Sequence, residues 1–348
     1  MSLSNFSTNS RLKKVQDSLG KWRVDACLIE NPVDLFYLTG LRLSAGKLIV
    51  TREDACLFVD GRYLQAAREA GSVKSEPLEA FENFFNKQTV AFDSAATSYA
   101  RFIALQKLPI TLTPVAHLLK HIRAIKEKEE LTALRKSAQL LWECFQAIQL
   151  LVKVGVSEKE IAREFEILAI KKGAQGLAFE PIIAFGVNGA YPHYRAGDAK
   201  YVKGEPVLFD LGLILNGYCS DMTRVVLFPE TDPEIKQMYA LAQEAQKAAL
   251  RLCKPGVATK ELDLACRAVF EKAGMLEHYL HSLGHGVGLE VHEFPRLRFK
   301  GEDQDELLQA CMVVTVEPGL YLPGKGGVRY EDTIVITQTG YENFYPEW

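Results

Sequence analysis

Short apolar runs alternate with helical patterns along the first third of the chain. Ala26 to Ile29, Lys47 to Val50 and Ala55 to Val59 are predicted strands, and Asp60 is expected to cap a helix from Gly61 to about Ala70. Pro109 and Pro114 mark a linker over residues 108–124. Beyond it the charged start KEKEE opens a long helix from about Glu127 to Val152, acidic where a helix N-terminus favours negative charge. This pattern predicts an α/β domain over residues 1–124 and a larger second domain over 125–348, α+β in overall class.

The second domain contains an internal repeat. GVSEKEIAREFEILAIKKG, starting at Gly155, matches GVATKELDLACRAVFEKAG, starting at Gly256, at an offset of 101 residues. Each copy follows a long helix, runs as a helix itself and ends on a glycine, Gly173 or Gly274. Each then turns to strands: PVLFDLGLIL and GYCSDMTRVVLF in the first copy, MVVTVEPGLYL and GGVRYEDTIVIT in the second. Two similar halves packed about a pseudo-twofold axis are expected.

That symmetry gathers acids. Asp210 and Asp221 fall on two strands joined by a turn with Asn216-Gly217, a strong hairpin signal, and Glu317 and Glu331 fall on the equivalent hairpin of the second half. His285, in a loop reading GHG, is a fifth candidate. An unpaired carboxylate inside an apolar strand loses several kcal/mol of solvation or takes up a proton, so something must neutralise these groups. Four carboxylates carry −4, which two divalent cations cancel, leaving only a bridging hydroxide in excess. Oxygen donors with one imidazole suit Mn(II), with Co(II), Zn(II) or Fe(II) as alternatives. Two such cations activate a water near neutral pH and polarise a carbonyl, which is hydrolysis without a covalent enzyme intermediate.

Composition narrows the field further. The net charge of −3 divides unevenly: residues 1–125 hold 16 Lys+Arg against 12 Asp+Glu, the remainder 25 against 32, and the four candidate acids lie in that acidic remainder. No basic run is interleaved with aromatics, which argues against a nucleic-acid partner. The seven cysteines are scattered singly, without a C-x-x-C pair, as expected of small buried groups in a reducing compartment. The N-terminus lacks an apolar leader pattern and nowhere do 18 apolar residues run together, so a cytoplasmic protein without a membrane partner is expected.

The strings FDLGLILNGYCSDMTR, HSLGHGVGLEVHE, VTVEPGLYLPG and GGVRYEDT, in this order, resemble the metallopeptidases of the creatinase, methionine aminopeptidase and prolidase superfamily, which have the pita-bread fold. ENPVDLFYLTG and LFVDGRYLQAA also resemble the N-terminal domain of Xaa-Pro aminopeptidases and prolidases, so the likeness covers almost the whole chain. It implies that Asp221 and Glu331 bridge two metals, that Asp210 holds one of them, and that His285 and Glu317 hold the other. Glu317 would also relay the proton of the attacking water. By the same resemblance His193, in AYPHY, and His292, in EVHE, face the substrate. Arg329, two residues before Glu331 and on the same face, either binds a substrate carboxylate or orients Glu331. Thr223 stands in the same relation to Asp221, while Asp332 points to the opposite face.

The function implied is cleavage between an N-terminal residue and proline, with an Xaa-Pro aminopeptidase placed first and an Xaa-Pro dipeptidase as the alternative. Methionine aminopeptidase is disfavoured by the N-terminal domain, and a metal-free creatinase-like hydrolase or a non-enzymatic binding protein by retention of all five ligands. The resemblance also implies a homodimer.

Overall fold

A computed structural model describes residues 8–348; the leader reading at the extreme N-terminus falls partly on residues 1–7, outside the described part. The chain divides into two compact units, Met1–Arg123 and Ala124–Trp348.

The first unit is built on one six-stranded sheet. Its strands are β1 (Ala26–Ile29), β2 (Lys47–Thr51), β3 (Ala55–Val59), β4 (Lys74–Pro77), β5 (Thr89–Asp93) and β6 (Thr111–Val115), in the order β4-β3-β2-β1-β5-β6. β1–β2 and β2–β3 are antiparallel, and the other pairs parallel. Two expectations change here. The helix after β3 is Leu64–Ala70, because Asp60 bonds the Arg62 backbone N–H at 2.9 Å and closes a turn where the helix was expected to begin. The segment expected as a linker contains β6, and Pro114 is tolerated in it because β6 lies at the sheet edge.

The second unit repeats one plan twice. Lys128–Ile148 is a helix with a capping box between Glu127 and Glu130, followed by the helix Glu158–Lys171, with a second capping box between Ser157 and Glu160. The pair Pro233–Leu250 and Thr259–Lys272 repeats the arrangement. The glycines of the repeat fall into register: Gly155 and Gly256 have φ of 88° and 86°, and Gly173 and Gly274 have 102° and 68°. All four are left-handed positions that a side chain would strain, so the repeated residue reflects a repeated backbone.

The first half then forms β7 (Gly176–Leu177), β8 (Ile182–Phe185), β9 (Val207–Leu211), β10 (Leu213–Leu215), β11 (Tyr218–Cys219) and β12 (Met222–Val226). The second forms β13 (Gly284–Gly286), β14 (Glu293–Leu297), β15 (Val313–Val316), β16 (Gly319–Leu322), β17 (Gly326–Arg329), β18 (Asp332–Ile336) and β19 (Tyr341–Asn343). In both halves an antiparallel pair, β9–β12 or β15–β18, forms the base of a hairpin whose tip, β10–β11 or β16–β17, belongs to a separate ladder. The expected continuous strand through Asp210 is therefore broken at Gly212, which packs against the Phe179 ring and the Ser220 carbonyl where a side chain would not fit. The tip of the first hairpin turns at Asn216-Gly217, both at positive φ.

Candidate metal centre

Asp210 lies inside β9, opposite Thr223 of β12, and Asp221 is the residue just before β12. In the second half Glu317 directly follows β15 and Glu331 directly precedes β18, beyond the Val316–Asp332 pair. His285 is in a strand, where a loop was expected: β13 is a short central strand between β14 and β15. Gly284 and Gly286 explain how it fits, since a Cβ on either would collide with the Thr315 or Phe294 backbone.

The structure brings Asp221, His285 and Glu331 together, with one potential ligand atom of each within 4.8 Å of the others, and all three are buried. Glu317 adjoins them, its Oε1 3.3 Å from His285 Nε2, while Asp221 Oδ2 is 3.7 Å from the same nitrogen. Asp210 completes the set differently. One of its carboxylate oxygens pairs with the Arg329 guanidinium, and the other, Oδ1, is buried without a hydrogen-bond partner. A buried carboxylate oxygen without a donor is the kind of atom a cation satisfies, so the donor set fits a divalent metal.

Arg329 does not reach for Glu331. Besides Asp210 it bonds Thr223 Oγ1 through Nε at 3.0 Å and Tyr321 Oη through Nη1 at 2.7 Å. Thr223 is the group that holds Glu331, donating to Oε2 at 2.6 Å. Tyr321 Oη also shares a 2.9 Å hydrogen bond with His281 Nε2. A buried chain of contacts thus runs from Glu331 through Thr223 and Arg329 to Asp210, with a branch through Tyr321 to His281. Tyr321 and His281 were not among the expected site residues. The available signal was a phenol within the apolar stretch GLYL, whose hydroxyl needs a partner when buried.

The carboxyls respond unequally to this environment. Burial, with the negative charge of the other acids, pushes Asp221 and Glu331 well above their ordinary values, while Arg329 opposes the rise. Asp210 is raised by burial and held back chiefly by Arg329. Burial would raise Glu317 too, but the hydrogen bond and charge of His285, with His281 and Arg329, outweigh it and leave that carboxyl at about 2. Raised values for three acids beside one lowered acid are the pattern expected when buried carboxylates crowd and the positive groups reach them unequally.

His292 stacks edge-to-face on His285 with ring centroids 4.3 Å apart, and burial followed by the His285 charge lowers its imidazole to about 4. His193 is exposed in the segment after β8, close enough for its charge to act on both His281 and His292. On the face of β18 away from these groups, Asp332 pairs with the fully buried Arg224 at 2.6 Å and accepts from Gln246 Nε2 at 3.0 Å. Arg224 also donates to the Thr223 and Glu331 carbonyls, tying β12 to β18 from behind the site.

Metallopeptidase family M24 matches residues 132–338, and the creatinase/prolidase N-terminal domain matches residues 11–125. An Xaa-Pro dipeptidase of Pyrococcus horikoshii is 33% identical over 339 residues, covering 95% of each chain. Among solved structures, an Xaa-Pro dipeptidase from Bacillus anthracis superposes with a TM-score of 0.92 at 30% identity, over 98% of this chain and 99% of that one. An X-Pro aminopeptidase from Thermotoga maritima does so at 0.87 and 30%, over 96% and 98%.

Proposed function

The chain belongs to metallopeptidase family M24, with the N-terminal domain of creatinases and prolidases, and from this premise we propose that it is an Xaa-Pro dipeptidase. The convergence of Asp221, His285 and Glu331, with Glu317 beside them and an unsatisfied Asp210 oxygen, is the observation that carries the hydrolytic reading. The preference for a dipeptide rests on likeness: relatives alike over nearly their whole length include an Xaa-Pro dipeptidase of Pyrococcus horikoshii and one from Bacillus anthracis. The aminopeptidase placed first on sequence grounds is the less well supported of the two, although one structural relative bears that name.

In this proposal Asp210, Asp221, His285, Glu317 and Glu331 would together hold two divalent cations. When bound, two such cations, Mn(II) by the mostly oxygen donor set, supply Lewis acidity toward water and the scissile carbonyl. Glu317, ionised at neutral pH, accepts the proton of the attacking water and delivers it to the proline nitrogen that leaves. His193 and His292 approach the carbonyl from outside the acid cluster and stabilise its developing charge. Arg329 fixes Asp210, which leaves the substrate carboxylate to other groups.

Steady-state hydrolysis of Ala-Pro, Ala-Pro-Ala and Met-Ala-Ser by the Mn(II)-loaded chain tests the assignment. Cleavage of Ala-Pro alone is expected. Cleavage of only the tripeptide Ala-Pro-Ala would return the aminopeptidase to first place, and cleavage of only Met-Ala-Ser would end the proline reading.

A further inference from the structure

A further buried acid lies away from the metal candidates. Glu158, the first residue of its helix, is completely buried, and its carboxylate accepts four hydrogen bonds from uncharged donors. Oε1 receives the Phe185 N–H at 2.9 Å and Asn188 Nδ2 at 2.8 Å; Oε2 receives the Tyr194 hydroxyl at 2.7 Å and the Gly197 N–H at 3.0 Å. Asn188 Nδ2 also donates to Tyr194 Oη at 2.9 Å, which closes the network. Three of the four donors lie within 188–197, and they bracket His193 on both sides.

A buried carboxylate is costly unless its lone pairs are met, and once met such a network is rigid. The same segment is held on its other side, where the Gly189 backbone lies so close to Gly327 of β17 that a Cβ on Gly327 would collide with it and one on Gly189 would be tight. His193 therefore sits on a short arch between two anchors. Its side chain is exposed and lies near enough to His281 and His292 to act on both electrostatically.

We propose that Glu158 is a positioning residue for catalysis, holding the 186–197 arch so that His193 stands over the metal centre in the geometry the substrate needs. The inference rests on the reading above in which His193 faces the substrate. It assigns a functional reason to Tyr194, whose hydroxyl both donates to Glu158 and accepts from Asn188, and to Gly197, where a side chain would press on that hydroxyl.

The test is a double-mutant cycle on kcat/KM for Ala-Pro with the full, Mn(II)-loaded chain. In Glu158→Gln an amide nitrogen confronts backbone and side-chain donors, the arch shifts, and kcat/KM should fall on the order of 10- to 100-fold, as for a misplacement near 1 Å. Metal content should not change. In a His193→Ala background the same substitution should cost less than about twofold, because the two residues act through one geometry. Tyr194→Phe, which keeps the ring and loses the donor, should show the same dependence on His193 with a smaller loss, and it carries the test should Glu158→Gln fail to fold. An equal loss with and without His193, or unchanged kinetics in a folded variant, would overturn the proposal alone. An inert His193→Ala would instead remove the role assigned to His193, and the proposal with it.

Discussion

In the first half of the second unit, Asp210 and Asp221 stand on one hairpin with no cationic or imidazole group contributed to the site by that hairpin, and burial raises both carboxyls. In the second half, Glu317 and Glu331 occupy the corresponding places, yet the same half supplies His281, His285 and Arg329. Glu317 consequently lies far below its ordinary value while Glu331, buried and beside the charges of Glu317 and Asp210, remains raised. Arg329 reaches across to hold Asp210, so the second half also provides the counter-charge for the first. Duplication of a backbone plan thus placed four acids symmetrically, and the division of labour among them comes from the positive and imidazole groups of one copy.

The largest expected effect comes from loosening the two halves where they join. Arg224→Met should leave Asp332 buried and unpaired, costing about 3–5 kcal/mol of stability, the usual result of removing one partner of a buried ion pair. Chemical denaturation would read it; a change under about 1 kcal/mol would mean that the Arg224–Asp332 pair does little to hold the halves together.

A smaller effect is expected from Thr223→Val, which keeps the shape and removes the hydroxyl linking Glu331 to Arg329. Metal affinity or activity should drop roughly 10- to 100-fold, the range for a group that orients a ligand. Stability should change little, so titration of Mn(II) into the variant distinguishes orientation from packing. Unaltered affinity and rate would show that Glu331 is held without Thr223.

The gentlest probe is pH. Asp210, Asp221 and Glu331 have raised carboxyls in the metal-free fold, so their contribution to stability is complete below the ordinary carboxylate range and lost as pH rises through their folded values. Glu317 works in the opposite sense, contributing above its ordinary value and losing that contribution as pH falls toward about 2. Glu317 is ionised at both pH 5 and pH 8, whereas the raised acids must give up protons to bind a cation, so the gain in Tm on adding Mn(II) should be larger at pH 8 than at pH 5. An equal gain at both would contradict the crowding of ionisable acids at one place.

Much of this organisation is legible in the chain. The repeat could be read because helix starts and terminal glycines carry strong local signals, and Gly155, Gly173, Gly256 and Gly274 prove to have the backbone that makes glycine necessary. The acids could be singled out because a carboxylate within an apolar strand needs a partner. Sheet membership was less legible: DLGLIL is equally apolar whether one strand or two, and only the close packing at Gly212 divides it. β13 is three residues long, too short to show alternation, so GHG read as a loop. The partner of Arg329 depends on how β17 meets β9 across the halves, which spacing along β17 does not encode. Glu158 was invisible for a related reason: its donors at 185–197 are joined to it only by the folded arch.

The most direct test of the account is the count of metal ions held by the chain together with its dependence on both halves. Elemental analysis of the protein equilibrated with Mn(II) should give two ions per chain. Asp210→Asn, altering the first half, and Glu317→Gln, altering the second, should each lower that count and abolish Ala-Pro hydrolysis. A single ion in the unaltered chain, or two ions retained and full activity in either variant, would contradict a site built jointly by the two halves.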